Sequence, residues 1–246
     1  MSTSWVLLPG LAEAPEEFDE VLALLSGNDV HVLDPWLTPI TAPVSELRRG
    51  LTLPVALLGH SIGGLAVLRW TLTHPGEVSR LVLIDSSLTS ETGWRWLYPG
   101  TMGDRVVRAV LRGLGRFGVP QLIGTTARRL LIRVGSMRNN DLLSSTTARL
   151  RYGAAASWLL FWDELTSSWE LAAEVGRLLE SPPAVLPPTV VLVATGGSSR
   201  FTANGWLAGQ RALAAKLNAT VEVLPDSAHL VHLDRPDAIA KAVAGF

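Results

Sequence analysis

One hydroxyl in this chain sits where a sequence would expose it for reaction. Ser61 stands in Gly59-His60-Ser61-Ile62-Gly63, between the apolar run Val55–Leu58 and the helical-period stretch Ile62–Thr73. A strand, a sharp turn and a helix, with glycines two residues either side of the serine, push that side chain into a strained, exposed position. The same turn aims the helix N-terminus at the serine, where its positive end and free N–H groups stabilise a developing oxyanion. A hydroxyl so placed becomes a nucleophile once a base takes its proton. With no cysteine in the chain, disulfides, zinc–thiolate sites and thiol nucleophiles are excluded.

Five histidines compete for the role of base. His60 flanks the serine and, on the geometry of the turn, points away from it. His31 and His74 lie near a strand start and a helix end. His229 and His232 both follow the Pro225-Asp226-Ser227 turn after the last apolar run. His229 comes first after the strand's carboxyl end, where sites in α/β sheets gather, so His232 is expected to pack behind it.

These residues need a scaffold, and the hydropathy pattern supplies one. Strand-like runs occur at Trp5–Leu8, Val30–Leu33, Val55–Leu58, Leu81–Ile84, Val190–Val193 and Thr220–Leu224, almost all of them apolar rather than alternating. Runs of that kind belong to strands buried on both faces of a parallel sheet. Helical periodicity fills the intervals, including Pro15–Ser26, Ile62–Thr73, Asn204–Leu217 and Pro236–Val243. The expected fold is therefore α/β, an open parallel sheet of about six strands with helices on both faces. About 100 residues with helical periodicity separate the fourth run from the fifth. A structureless loop of that length is improbable. Residues 88–184 are accordingly expected to form an inserted helical cap, and 1–87 with 185–246 the core.

Three segments together resemble the α/β-hydrolase superfamily: Leu7-Leu8-Pro9-Gly10-Leu11 resembles its oxyanion loop, Gly59–Gly63 its nucleophile elbow, and Ser227–Pro236 its histidine loop. The resemblance implies that Ser61 is the nucleophile, His229 the general base, and the backbone N–H groups of Leu11 and Ile62 the oxyanion hole. It implies no metal or organic cofactor. The family's usual acid follows the fifth strand, but that loop reads Ala194-Thr-Gly-Gly-Ser-Ser199 here, with Ser199 in the aspartate's place and no acid from Ser181 through Val221. Some members, such as pancreatic lipases, take the acid from the end of the preceding strand, and Asp85 stands there in this chain. Alternatives are a neutral group such as Ser199, a water, or a degenerate triad.

Charge is uneven beneath a net value of −1. Between Glu91 and Arg151 eleven arginines face three acids, a local charge of +8. Within 104–117, Arg105, Arg108, Arg112 and Arg116 recur at helical spacing opposite Val106, Val107, Val110, Leu111 and Leu114, which describes a basic amphipathic helix. It is read either as a solvated outer face or as a docking surface for an acyl carrier protein, coenzyme A or an acidic membrane. The same segment holds Trp94, Trp96, Trp158, Trp162 and Trp169, suited to packing between helices or to lining an apolar pocket.

The near-zero net charge gives no overall pull toward nucleic acid. No run of about 18 apolar residues is present, and the N-terminal segment lacks the basic start of a signal peptide, so a cytoplasmic location is the expectation. The leading functional expectation is a serine hydrolase, a carboxylesterase or thioesterase acting on a hydrophobic acyl or polycyclic small molecule. The others are a cofactor-free lyase or cyclase of bacterial natural-product (secondary) metabolism on the same fold, and a ligand-binding protein without turnover.

Overall fold

The computed structural model describes residues 4–246. Six parallel strands, β1 (Trp5–Leu8), β2 (Val30–Val32), β3 (Val55–His60), β4 (Val78–Ile84), β5 (Thr189–Ala194) and β6 (Thr220–Leu224), form one sheet in the order β2-β1-β3-β4-β5-β6. The helices in chain order are α1 (Asp19–Leu24), α2 (Val44–Leu47), α3 (Ile62–Thr73), α4 (Met102–Arg116), α5 (Val119–Gly135), α6 (Ser145–Tyr152), α7 (Ala155–Leu178), α8 (Ala203–Leu217), α9 (Val231–Asp234) and α10 (Pro236–Ala244).

Alternation along the central strands divides the core into two layers, as a period of two residues requires. Val6, Leu8, Leu57, Leu83 and Val193 face α3, α7 and α8. Trp5, Leu7, Leu58, Ile84 and Leu192 face α1 and α10. Both faces are covered, which is why these strands read as continuous apolar runs. β3 extends two residues beyond its apolar run, because Gly59 and His60 continue the ladder opposite Leu83 and Ile84. The expected helix Pro15–Ser26 begins instead as a 3₁₀ turn, Pro15–Phe18, before α1. There Glu17 turns back to accept a hydrogen bond from Ala14 N–H at 2.6 Å.

Between β4 and β5 the chain forms α4 to α7. The last of these is shared with the core. Leu171, Ala172 and Val175 of α7 are buried in the layer that contains α3, while Trp158, Phe161 and Trp162 at its other end line a cavity among the helices above the sheet. Among the described residues no helix is long and apolar enough to cross a membrane.

Glu164 anchors the middle of α7 to the loop after β2 by accepting a hydrogen bond from Ile40 N–H at 2.7 Å. Burial pushes its carboxyl up to about 7, against the lowering effect of the Ile40 and Thr41 N–H groups. Between about 4.5 and about 7 the folded state therefore holds a proton that the unfolded chain has released, and stability falls as pH rises through that window. Glu164→Gln keeps an acceptor and cannot ionise. Its melting temperature should fall less than the wild type's between about pH 5 and about pH 8, measured by circular dichroism.

Candidate active site

The turn from β3 into α3 holds Ser61 at φ 52° and ψ −120°, a left-handed φ that a serine adopts only when its surroundings impose it. Those surroundings are tight. A Cβ on Gly59 would meet Val67 and the Gly63 carbonyl, and one on Gly63 would collide with the carbonyls of Leu8 and Pro9. Both glycines are needed for this backbone to pass close to α3 and β1. Ser61 N–H donates to Ile84 O at 3.2 Å, tying the elbow to β4.

Three side chains from three loops meet there. His229 Nε2 lies 3.1 Å from Ser61 Oγ, and His229 Nδ1 lies 2.6 Å from Asp85 Oδ2. Asp85 follows β4 directly, at φ 41°, and is buried. Its second oxygen, Oδ1, accepts hydrogen bonds from Ala194 N–H at 2.9 Å and from the Trp206 indole at 2.7 Å. Every acceptor direction of the carboxylate that matters is thus assigned, which fixes its plane and aims Oδ2 at the imidazole. Ser199 lies in the 3₁₀ turn Gly197–Phe201, and the group that meets His229 Nδ1 is Asp85. Ile62 is the first residue of α3, and its N–H has no partner within the helix. Leu11, on the loop after β1, lines the same cavities as Ser61.

The remaining histidines are elsewhere. His232 is fully buried, stacked on Phe18 with ring centroids 4.4 Å apart. His74 Nδ1 is paired with the Thr73 hydroxyl, and His31 is on the exposed edge strand β2. His60 points away from Ser61. Its Nδ1 lies 2.7 Å from Glu13 Oε1, and its Nε2 lies 2.8 Å from the carbonyl oxygen of His229.

Sequence reasoning missed the role of Glu13. Its carboxylate accepts from Gly10 N–H at 2.6 Å and pairs with His60, so one buried ion pair joins the loop bearing Leu11, the residue before Ser61, and the main chain of His229. Burial pushes the Glu13 carboxyl up, but the charges of His60 and His232 and the hydrogen bonds from His60 and Gly10 outweigh it and hold it down at about 2. Burial pushes His60 down, and the adjacent Glu13 carboxylate more than reverses this. The visible signal was an acid three residues past Gly10 in an otherwise apolar loop. Glu13, His60 and His232 offer donor atoms within 4.8 Å of one another, as a metal site would. Both His60 nitrogens are already engaged, however, and the geometry is that of an ion pair.

Beside this pair, Glu17 accepts from Arg128 Nη1 at 2.9 Å and from the Tyr152 hydroxyl at 3.1 Å, and Asp141 pairs with Arg128 at 2.8 Å. This buried cluster fastens α5 and α6 to the core.

Ser61 opens into two spaces. One, about 350 Å³, is lined by Leu11, Ser61, Arg128, Leu131, Val134, His229 and Leu230; the other, about 210 Å³, by Leu11, Ser61, Ile62, Leu65, Leu165 and Trp169. A third, about 300 Å³ and largely apolar, shares Leu11, Ala12, Arg128, Leu131 and Tyr152 with the first and runs on between Val107, Leu111, Trp158, Phe161 and Trp162. The tryptophans therefore divide. Trp158, Trp162 and Trp169 line cavities, Trp162 and Trp169 also packing edge to face, whereas Trp94 and Trp96 are exposed.

With this geometry in view, the comparisons with known proteins agree on the fold. Residues 5–242 match the alpha/beta hydrolase family. The chain is 26% identical over 232 residues to an sn-1-specific diacylglycerol lipase of Mus musculus, covering 89% of this chain and 68% of that protein. Similar solved structures include an alpha/beta hydrolase fold protein from Burkholderia ambifaria, with a TM-score of 0.66 and 17% identity over 100% of this chain and 91% of that one. Another is the Cif epoxide hydrolase from Acinetobacter nosocomialis, with a TM-score of 0.68 and 14% identity over 100% and 82% of the two chains.

Proposed function

We propose that this chain, which belongs to the alpha/beta hydrolase family, is a serine hydrolase that cleaves an ester or thioester of a hydrophobic acyl group. The observation that carries the reading is the unbroken series Asp85 Oδ2, His229 Nδ1, His229 Nε2, Ser61 Oγ, ending where two cavities meet. His229 Nε2 takes the Ser61 proton as Oγ attacks the carbonyl carbon. The oxygen that becomes negative is held by Leu11 and Ile62 N–H, each donor worth about 3 kcal/mol in the transition state. His229 then returns the proton to the departing alkoxide or thiolate, leaving an acyl-enzyme on Ser61. Water, deprotonated by the same nitrogen, attacks the acyl carbon and releases the acid with Ser61 restored.

Asp85 keeps the proton of neutral His229 on Nδ1, so that Nε2 can accept, and stabilises the imidazolium formed at each step. The apolar lining of the cavities favours a hydrophobic acyl group, and the relative named as a diacylglycerol lipase acts on a substrate of that kind. The test is a fluorophosphonate probe followed by mass spectrometry of the labelled peptide. One adduct on Ser61 is expected, with release of p-nitrophenol from medium-chain p-nitrophenyl esters. A folded protein that neither labels at Ser61 nor turns over such esters would remove the reading.

A further inference from the structure

Helices α4 and α5 form a hairpin whose joint is Gly118, in the left-handed region at φ 72°, with Phe117 beside it 82% exposed. The outer arcs of both helices have the same composition. On α4, Arg105, Arg112 and Arg116 follow one edge of the exposed arc, and Met102, Val106 and Val110 the adjacent edge. On α5, Arg129 and Arg133 follow one edge, and Ile123, Leu130 and Val134 the next. Residues four apart turn by only about 40° on a helix, so each set forms a stripe.

Neither stripe is compensated. Asp104 is the only acid from 102 to 135, and it is buried, accepting from Arg108 and the Trp162 indole. Among the described residues none of the five exposed arginines has a carboxylate partner. An ordinary solvated helix face intersperses acids with its arginines at four-residue spacing and does not leave leucines more than half exposed beside them.

We propose that the outer face of the α4–α5 hairpin docks on an anionic lipid surface, its arginines at the headgroup phosphates and its apolar stripes at the acyl boundary. The face is helical, with its arginines set along two stripes. A carrier protein or a nucleotide would be gripped by donors converging on it, whereas a bilayer interface offers diffuse negative charge above an apolar layer and asks for just these two stripes. The position of the face agrees with this. Leu131 and Val134, on the same exposed arc of α5, also line the cavity that contains Ser61 and His229. A docked hairpin therefore brings the mouth of that cavity to the lipid phase, and an apolar acyl chain can enter without crossing water. This last consequence rests on the hydrolase reading; the docking itself does not.

The experiment is co-sedimentation of the full chain with sucrose-loaded vesicles, either of phosphatidylcholine alone or containing phosphatidylglycerol. It is read with the wild type and with Ser61→Ala, so that docking is scored without turnover. Binding at least about tenfold stronger to the anionic vesicles, and weakened by salt, is expected. The combined variant Arg112→Gln, Arg116→Gln, Arg129→Gln, Arg133→Gln alters only exposed side chains and should keep the wild-type melting temperature. At roughly fivefold per arginine it should bind several hundredfold more weakly. Leu130→Ser with Val134→Ser should remove the binding that survives high salt. Failure of the wild type to pellet with anionic vesicles overturns the proposal, as does undiminished pelleting of the four-arginine variant. So does a stable dimer in sedimentation velocity that Leu130→Ser dissociates, because the face would then be covered by a second copy of the chain.

Discussion

Asp85→Asn is expected to lower kcat for a p-nitrophenyl ester by about 10⁴, or roughly 5 kcal/mol of transition-state stabilisation, with KM little changed. The size follows from how the carboxylate is held. Oδ1 is committed to two donors, Ala194 N–H and the Trp206 indole. An asparagine must satisfy those donors with its one carbonyl oxygen, which turns its NH₂ group toward His229. Two donors cannot face each other, so the imidazole moves its proton to Nε2 and presents a hydrogen, not a lone pair, to Ser61. The control is Ser199→Ala, which should change kcat less than about twofold on the same reasoning. Steady-state kinetics with a circular-dichroism melt for each variant checks the pair. A loss under tenfold for Asp85→Asn, or a large loss for Ser199→Ala, would take the acid role away from Asp85.

Ser61→Ala has the largest expected effect, a fall in kcat on the order of 10⁶ for esters. Only the oxygen of the side chain is removed. The backbone at φ 52° is unchanged, and both cavities keep their walls. Substrate binding should accordingly survive, and the variant should retain a hydrophobic ester or its acid product with an affinity near that of the wild type, measurable by calorimetry. The same variant separates the competing chemistries. A carbon–carbon bond lyase or a cyclase working by proton abstraction at His229 would retain substantial activity without the Ser61 hydroxyl, and a binding protein would show no turnover to lose.

Local patterns were the legible part of this molecule. The elbow is defined by five consecutive residues and two flanking elements, so Ser61 could be read at once, and His229 followed from its place after the last strand. Asp85 was visible as an acid directly after a strand, where some members of the family it resembles carry theirs, but Asp34 and Asp226 also follow strand-like runs. What singled it out in space was the packing of Trp206, 121 residues away, against its second oxygen. No spacing encodes that contact. The Glu13–His60 pair was hidden for the same reason, since its members lie 47 residues apart and meet only because β1 and β3 are neighbours in the sheet. β2 and β6 were legible as strands, but each interrupts its apolar residues with a polar one, His31 and Glu222, and both are partly exposed, as edge strands of this sheet order must be.

The 24-residue α7 is about 36 Å long, and one end of it is clamped. Its C-terminal turns sit in the same apolar layer as α3, the helix that carries Ser61 on its N-terminus, while its N-terminal turns form a wall of the cavity above. Mechanically it is a cantilever, and a helix is far stiffer along its length than the joints on either side of it. The facing wall is tied down as well, since Arg128 of α5 and Tyr152 of α6 both bond Glu17 and Arg151 of α6 pairs with Asp34. The space over Ser61 therefore lies between two walls rooted independently, one by apolar packing and the other by buried charge.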